Sequence, residues 1–154
     1  GRPGTGIASQ LAAVAQIIAG RGTTGAKRQV FFVSMGGFDN HDLLNTGHGN
    51  LMRQLGDALE WFDRALANLG GVDMRANVTT FTASDFGRTL TSNGDGTDHG
   101  WGGHQLVVGG VLGQRIHGTM PRLEIGGADD TSGGRIIPTT AVDQFVGTLA
   151  RWLG

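Results

Sequence analysis

The run Val30-Phe31-Phe32-Val33 constrains the fold of this chain more than any other stretch. β-branched and aromatic residues in an unbroken row read as a strand, here "RQVFFVSM". A strand that is apolar on both alternating faces is covered on both, as in a parallel sheet between helices. The neighbouring segments fit that picture. "GIASQLAAVAQIIAGR" reads as a helix, with Ile7, Leu11, Val14 and Ile18 on one stripe and Gly20 or Gly22 to end it. "HGNLMRQLGDALEWFDRALANLGG" is the clearest helix. Leu51, Leu55, Leu59, Phe62, Leu66 and Leu69 form its stripe, Asn50 can cap it, and Gly70-Gly71 stops it. "ANVTTFTAS" is a second strand and "HQLVVGGVL" a shorter third, while "IHGTMPRLEI" reads as an edge strand or a turn. "TTAVDQFVGTLARWLG" closes as a helix capped by Thr139 or Thr140, with Val142, Phe145, Val146, Leu149, Trp152 and Leu153 on its stripe. Strands alternating with helices predict an α/β layered fold, a mostly parallel sheet flanked by helices, in a single domain over residues 1–154.

Of the 154 residues 29 are glycine and only 3 proline, against roughly 7% glycine on average. The glycines pair at strand ends and in loops, as at Gly36-Gly37, Gly102-Gly103 and Gly133-Gly134. That pattern predicts tight turns around a site rather than a linker. The chain has no cysteine, which excludes disulfides and thiolate ligands. A formal net charge of −1, without a Lys/Arg cluster, gives no footprint for nucleic acid. No apolar run reaches the roughly 20 residues of a membrane span. Gly1–Gly6 is polar, without the apolar stretch of a signal peptide.

Both strong strands end in chemistry. "GGFDNHD" brings Asp39, His41 and Asp42 behind the first; "SDFGRT" brings Asp85 and Arg88 behind the second. Ligands in α/β sheets bind beyond the carboxyl ends of strands. From Phe86 to Gly103 no periodicity is visible, and a loop of that length is usually functional. Within it "DGTDHGWGGH" gathers Asp95, Asp98, His99 and His104. Asp and His donors suit Zn, Mn or Fe, and without cysteine any site is of the mixed N/O kind. Each loop also has a plain reading: a turn with a satisfied hydrogen bond for Asp39-Asn40-His41, an ion pair for Asp85 and Arg88. Three such loops at the strand ends of one sheet favour the metal. His48 reads as a surface or capping residue and His117 as structural. "GADDTSGGR" reads as a turn, since it lacks the spacing of a calcium loop. Trp61 and Trp152 fall on helix stripes and are expected in the core; Trp101 lies in the polar loop and is the better candidate for a site wall.

"AKRQVFFVSMGGFDNHD", "TTFTASDFGRTLTSNGDGTDHGWGGHQLVVGG" and "GRIIPTTAVDQFVGTLARWLG" together resemble the C-terminal part of the bacterial domain-of-unknown-function family 1501, from about Gly6 to the end. That family is similar to the alkaline phosphatase and sulfatase superfamily of metal-dependent ester hydrolases, whose members are α/β proteins. The resemblance implies export to the periplasm or medium. It implies metal ligation by Asp39, His41 and Asp85, completed by His99 or His104. Phe86 stands where the superfamily has a second histidine, which removes a ligand and the basis for a full two-metal site. The nucleophile of the superfamily would lie upstream, so this chain reads as the C-terminal portion of a longer member.

The expectation is a metal-dependent hydrolase, or its C-terminal portion, acting on a phosphate, sulfate or related anionic ester. Asp39, His41, Asp85 and His99 bind a divalent metal (Zn, Mn or Fe), Arg88 holds the anion and His104 is a ligand or proton shuttle. The alternatives are a non-catalytic metal-holding or partner-binding module, and a metal-dependent oxidoreductase. A truncated sheet would expose an edge, predicting a homo-oligomer or pairing with a missing N-terminal half.

Overall fold

The computed structural model describes residues 1–110 and 116–154. In chain order the elements are α1 (Gly6–Ala19), α2 (Arg21–Thr24), α3 (Leu44–Leu66), a 3-10 turn (Arg75–Asn77), β1 (Thr79–Phe81), β2 (Gly87–Ser92), β3 (Thr97–Gly100), β4 (Val107–Gly109) and α4 (Val142–Leu153). The expected mostly parallel layered sheet is overturned. Among the described residues the strands form two two-stranded sheets, β1 with β4 and β2 with β3. β2 and β3 are antiparallel. The bonds bracketing the other pair, Thr82 N–H to Leu106 C=O and Gly110 N–H to Val78 C=O, also run in the antiparallel sense. The last two residues of the expected strand "HQLVVGGVL" lie outside the described residues. "IHGTMPRLEI" carries no strand and ends at a turn.

The misleading signal was the apolar run itself. Residues 28–35 carry no sheet pairing. Phe31, Val33 and Met35 pack against the core, while Val30 and Phe32 are 81% and 91% exposed. One face is covered, not two. Extended chain joins a sheet only where another backbone meets its N–H and C=O groups. At Ser34 a side chain meets them: Gln10 Nε2 donates to the Ser34 C=O at 2.7 Å, and the Ser34 N–H donates to Gln10 Oε1 at 2.9 Å.

The chain divides into two compact units. The first comprises Gly1–Asp39, Thr46–Thr80 and Val108–Val111. The apolar stripes of α1 and α3 build its core: Ile7, Leu11, Val14 and Ile18 from α1, Ala58, Phe62 and Leu66 from α3, with Met74 beside them. Thr5 caps α1 by accepting the Ala8 N–H. α3 begins at Leu44, six residues before the expected cap, so Asn50 lies inside the helix. Gly70 and Gly71 do not end α3 directly. Both have positive φ, at 65° and 85°, and they form the turn of a tight bridge between Leu69 and Val72. Trp61 packs on the core as expected.

The second unit comprises Asn40–Asn45, Phe81–Val107 and Leu112–Gly154. It buries little apolar surface; Ile136 is its one buried large apolar side chain among the described residues. α4 forms, but none of its residues is buried, and Trp152 is 38% exposed rather than in a core. Thr139 and Thr140 do not cap it: the Gln144 side chain accepts the Ala141 N–H at 2.9 Å instead. "GADDTSGGR" is the expected turn. The Asp130 carboxylate accepts from the backbone N–H groups of Gly126, Ser132 and Gly134. These bonds, that from Gly126 foremost, hold its pKa below the ordinary aspartate value.

Candidate metal centre

The centre is built on the β2–β3 hairpin. Arg88-Thr89-Leu90-Thr91-Ser92 alternates in burial, and Asn93-Gly94-Asp95-Gly96 turns the chain. The Asn93 N–H donates to the Gly96 C=O at 3.1 Å, and the Gly96 N–H donates to Asn93 Oδ1 at 3.1 Å. The expected long polar loop over 86–103 is therefore corrected to a hairpin. An Asn-Gly pair between short β-prone stretches was the sequence signal for it. Across the hairpin Arg88 faces His99 and Gly87 faces Gly100, with an irregularity between Arg88 and Ser92.

The segment Asn40–Asn45 is clamped to that hairpin. Asn93 Nδ2 donates to the His41 C=O at 3.2 Å, and the Leu44 N–H to the Asp95 C=O at 3.2 Å. Arg88 donates from Nη1 to the Thr97 C=O at 2.7 Å and from Nη2 to Asn40 Oδ1 at 3.4 Å, tying β3 to the segment. Gly96 admits the close approach: a Cβ there would overlap the His41 carbonyl.

This clamp stacks three rings. Phe86 lies on His99, centroids 4.0 Å apart and planes 13° apart, and His99 lies on His41 at 4.8 Å and 29°. The Arg88 guanidinium is 5.2 Å from the Phe86 centroid. His41 Nδ1 and Asp98 Oδ1 are 3.3 Å apart, and Asn93 Nδ2 donates to the same oxygen at 3.2 Å. The His41 contact, with Asn93 behind it, lowers the Asp98 pKa below its ordinary value.

Asp39, which leads directly into this segment, completes a triad. One ligand atom from each of Asp39, His41 and His99 lies within 4.8 Å of the others. Donors sharing an ion tetrahedrally at about 2.0–2.2 Å stand about 3.3–3.6 Å apart, so the outermost pair has to close by about 1 Å. Small side-chain adjustment closes the triad, and two imidazoles with one carboxylate fit a borderline divalent cation. Asp39 and His41 are exposed and His99 half-buried.

Three of the four expected ligands are thus brought together. The fourth, Asp85, sits in an exposed bend ahead of β2, and His104 is exposed beyond Gly103; neither joins the triad. Arg88 belongs to the hairpin that carries His99. His48 lies in α3, edge-on to Phe38 with centroids 5.9 Å apart. Trp101 follows β3 and is 60% exposed. Residue-type reasoning grouped Asp98 with His99 but gave it no role, and it missed Asn93. Only the fold brings both to His41.

The model of the family described as protein of unknown function (DUF1501) matches residues 2–145. The chain belongs to that family. No curated protein and no solved structure matches it.

Proposed function

We propose that this member of the DUF1501 family holds one divalent cation on Asp39, His41 and His99 and hydrolyses a small anionic ester, a phosphate or sulfate. The observation that carries the reading is the triad itself, a mixed N/O donor set of which Asp39 and His41 are exposed. When bound, such a cation acts as a Lewis acid and makes water a nucleophile near neutral pH. The resemblance to the alkaline phosphatase and sulfatase superfamily supports the substrate class, and with it an exported setting.

The chain's own residues supply the rest. The ring stack fixes the imidazoles before any ion arrives, which reduces the ordering cost of binding. Arg88 sets a positive charge in the hairpin that presents His99, and that charge favours an anionic ester. By the same resemblance Phe86 stands where the superfamily has a further histidine, which favours a single cation, and its ring lies on His99. The proposal does not need Asp85 or His104.

The donor set also favours a second reading, oxidation on ferrous iron, which uses two histidines and one carboxylate. Exposure of Asp39 and His41 argues for hydrolysis, because oxidative intermediates need shelter from water. The test loads the chain with Zn, Mn or Fe(II) and follows p-nitrophenyl phosphate and p-nitrophenyl sulfate, with dioxygen uptake in parallel. Metal-dependent ester cleavage that His41→Ala and His99→Ala abolish supports the proposal. Dioxygen uptake without cleavage selects the oxidative reading, and neither activity in the loaded protein rejects both.

A further inference from the structure

The structure assigns Asp98 as a positioning residue: it holds the His41 ring in the tautomer that turns Nε2 to the cation. The inference rests on the metal reading above. Its ground is the 3.3 Å approach of His41 Nδ1 to Asp98 Oδ1. An aspartate at neutral pH is ionised and can only accept a hydrogen bond. The proton between the two atoms must therefore belong to Nδ1. A neutral imidazole protonated at Nδ1 carries its lone pair on Nε2, the one ring atom left to bind a metal.

Asp98 is itself oriented. Asn93 Nδ2 donates to the oxygen that faces His41, and the same amide donates to the His41 C=O at 3.2 Å. One side chain from the hairpin turn thus grips the carboxylate and the backbone of the residue it serves. Ring stacking on His99 limits tilt, while the Nδ1 contact limits rotation. A carboxylate behind a metal-binding histidine raises ligand basicity, and its loss typically weakens metal affinity by about 10–100-fold. Asp98 neighbours the ligand His99 in sequence, and both reach His41: Asp98 at Nδ1 and His99 through its ring face.

The test has two independent readouts. First, the metal-free chain with 15N-labelled histidine is read by long-range 1H–15N correlation at about pH 8, above the ordinary histidine range. The expected result is His41 in the Nδ1–H form in wild type and in Asp98→Asn, whose amide oxygen still accepts. Asp98→Ala is expected to shift His41 toward the Nε2–H form. Second, Zn affinity is expected to fall about 10–100-fold in Asp98→Ala, with Asp98→Asn in between. Should Asp98→Ala not fold, Asn93→Ala loosens the same carboxylate and is expected to move both readouts in the same direction. His41 as Nε2–H in the wild type overturns the inference. So does an Asp98→Asn loss as large as that of Asp39→Ala, which would make Asp98 a ligand. Correct tautomers with no Zn bound by the wild type instead defeat the metal reading, and the two failures are thereby told apart.

Discussion

In the first unit Ile7, Leu11, Val14, Ile18, Phe62 and Leu66 are buried together, and two amphipathic helices supply all six. In the second unit glycine, asparagine and aspartate do comparable work: Asn93 makes three side-chain bonds, Asp130 accepts three backbone N–H groups, and Gly96 is buried in the turn. The first unit is ordered by apolar burial, which is non-directional and tolerant of detail. The second is ordered by hydrogen bonds, which are directional and fail one at a time. The candidate centre lies at the polar end of this contrast, where side-chain direction matters most.

The comparison can be broken most forcefully in the first unit. Phe62→Ala is expected to cost about 3–5 kcal/mol, the usual effect of an aromatic lost from a core. Urea unfolding followed by helical circular dichroism measures it; a loss under about 1 kcal/mol would mean that burial there does not hold the helices.

Adjacent residues give a second test. Phe31 packs against the core and Phe32 faces solvent. Phe31→Ala is expected to cost about 1.5–3 kcal/mol, and Phe32→Ala to stay within about 0.5 kcal/mol of wild type. Equal losses would show that the outer face of residues 28–35 is covered in solution.

The polar unit is tested at Gly96. Gly96→Ala places a methyl group on the His41 carbonyl, so the Asn40–Asn45 segment must move. Zn affinity is expected to drop about tenfold or more, as when a support behind a metal ligand is lost, while the helical unfolding midpoint stays put. Unchanged affinity would show that the clamp does not position His41.

The smallest expected effect concerns acid. The Asp130 pKa is lowered in the folded chain by backbone N–H donors. Its stabilisation is therefore complete above the unfolded value, about 3.9, and disappears as pH falls through the folded value. Gly126 and Gly134 amide protection, followed by hydrogen exchange, is expected to fade over that window in wild type. In Asp130→Asn it is expected to depend less on pH. Equal pH dependence in both would remove Asp130 as the organiser of its turn.

The helices were legible in the sequence because their stripes repeat every three or four residues, and the boundaries of α1 moved little. The sheet was misread because an apolar run records the wish to be buried, not the presence of neighbouring strands. Phe31 and Phe32 look alike in the sequence; only packing separates them. Asp39, His41 and His99 were legible by residue type in glycine-rich loops. Asp85 carried the same signal and lies outside the triad, because type does not encode direction. Asn93 and Asp98 act across the hairpin on His41, a relation that exists only once β2, β3 and the preceding segment are folded.

The most direct measurement of the central claim is the stoichiometry of metal binding to the full chain. Metal-free protein is titrated calorimetrically with Zn, Mn and Fe(II), beside Asp39→Ala, His41→Ala and His99→Ala. One ion per wild-type chain, lost in all three variants while their helical circular dichroism is kept, is the predicted result. Folded wild type that binds none of these cations, or binding that survives His99→Ala, would contradict a metal centre on this triad.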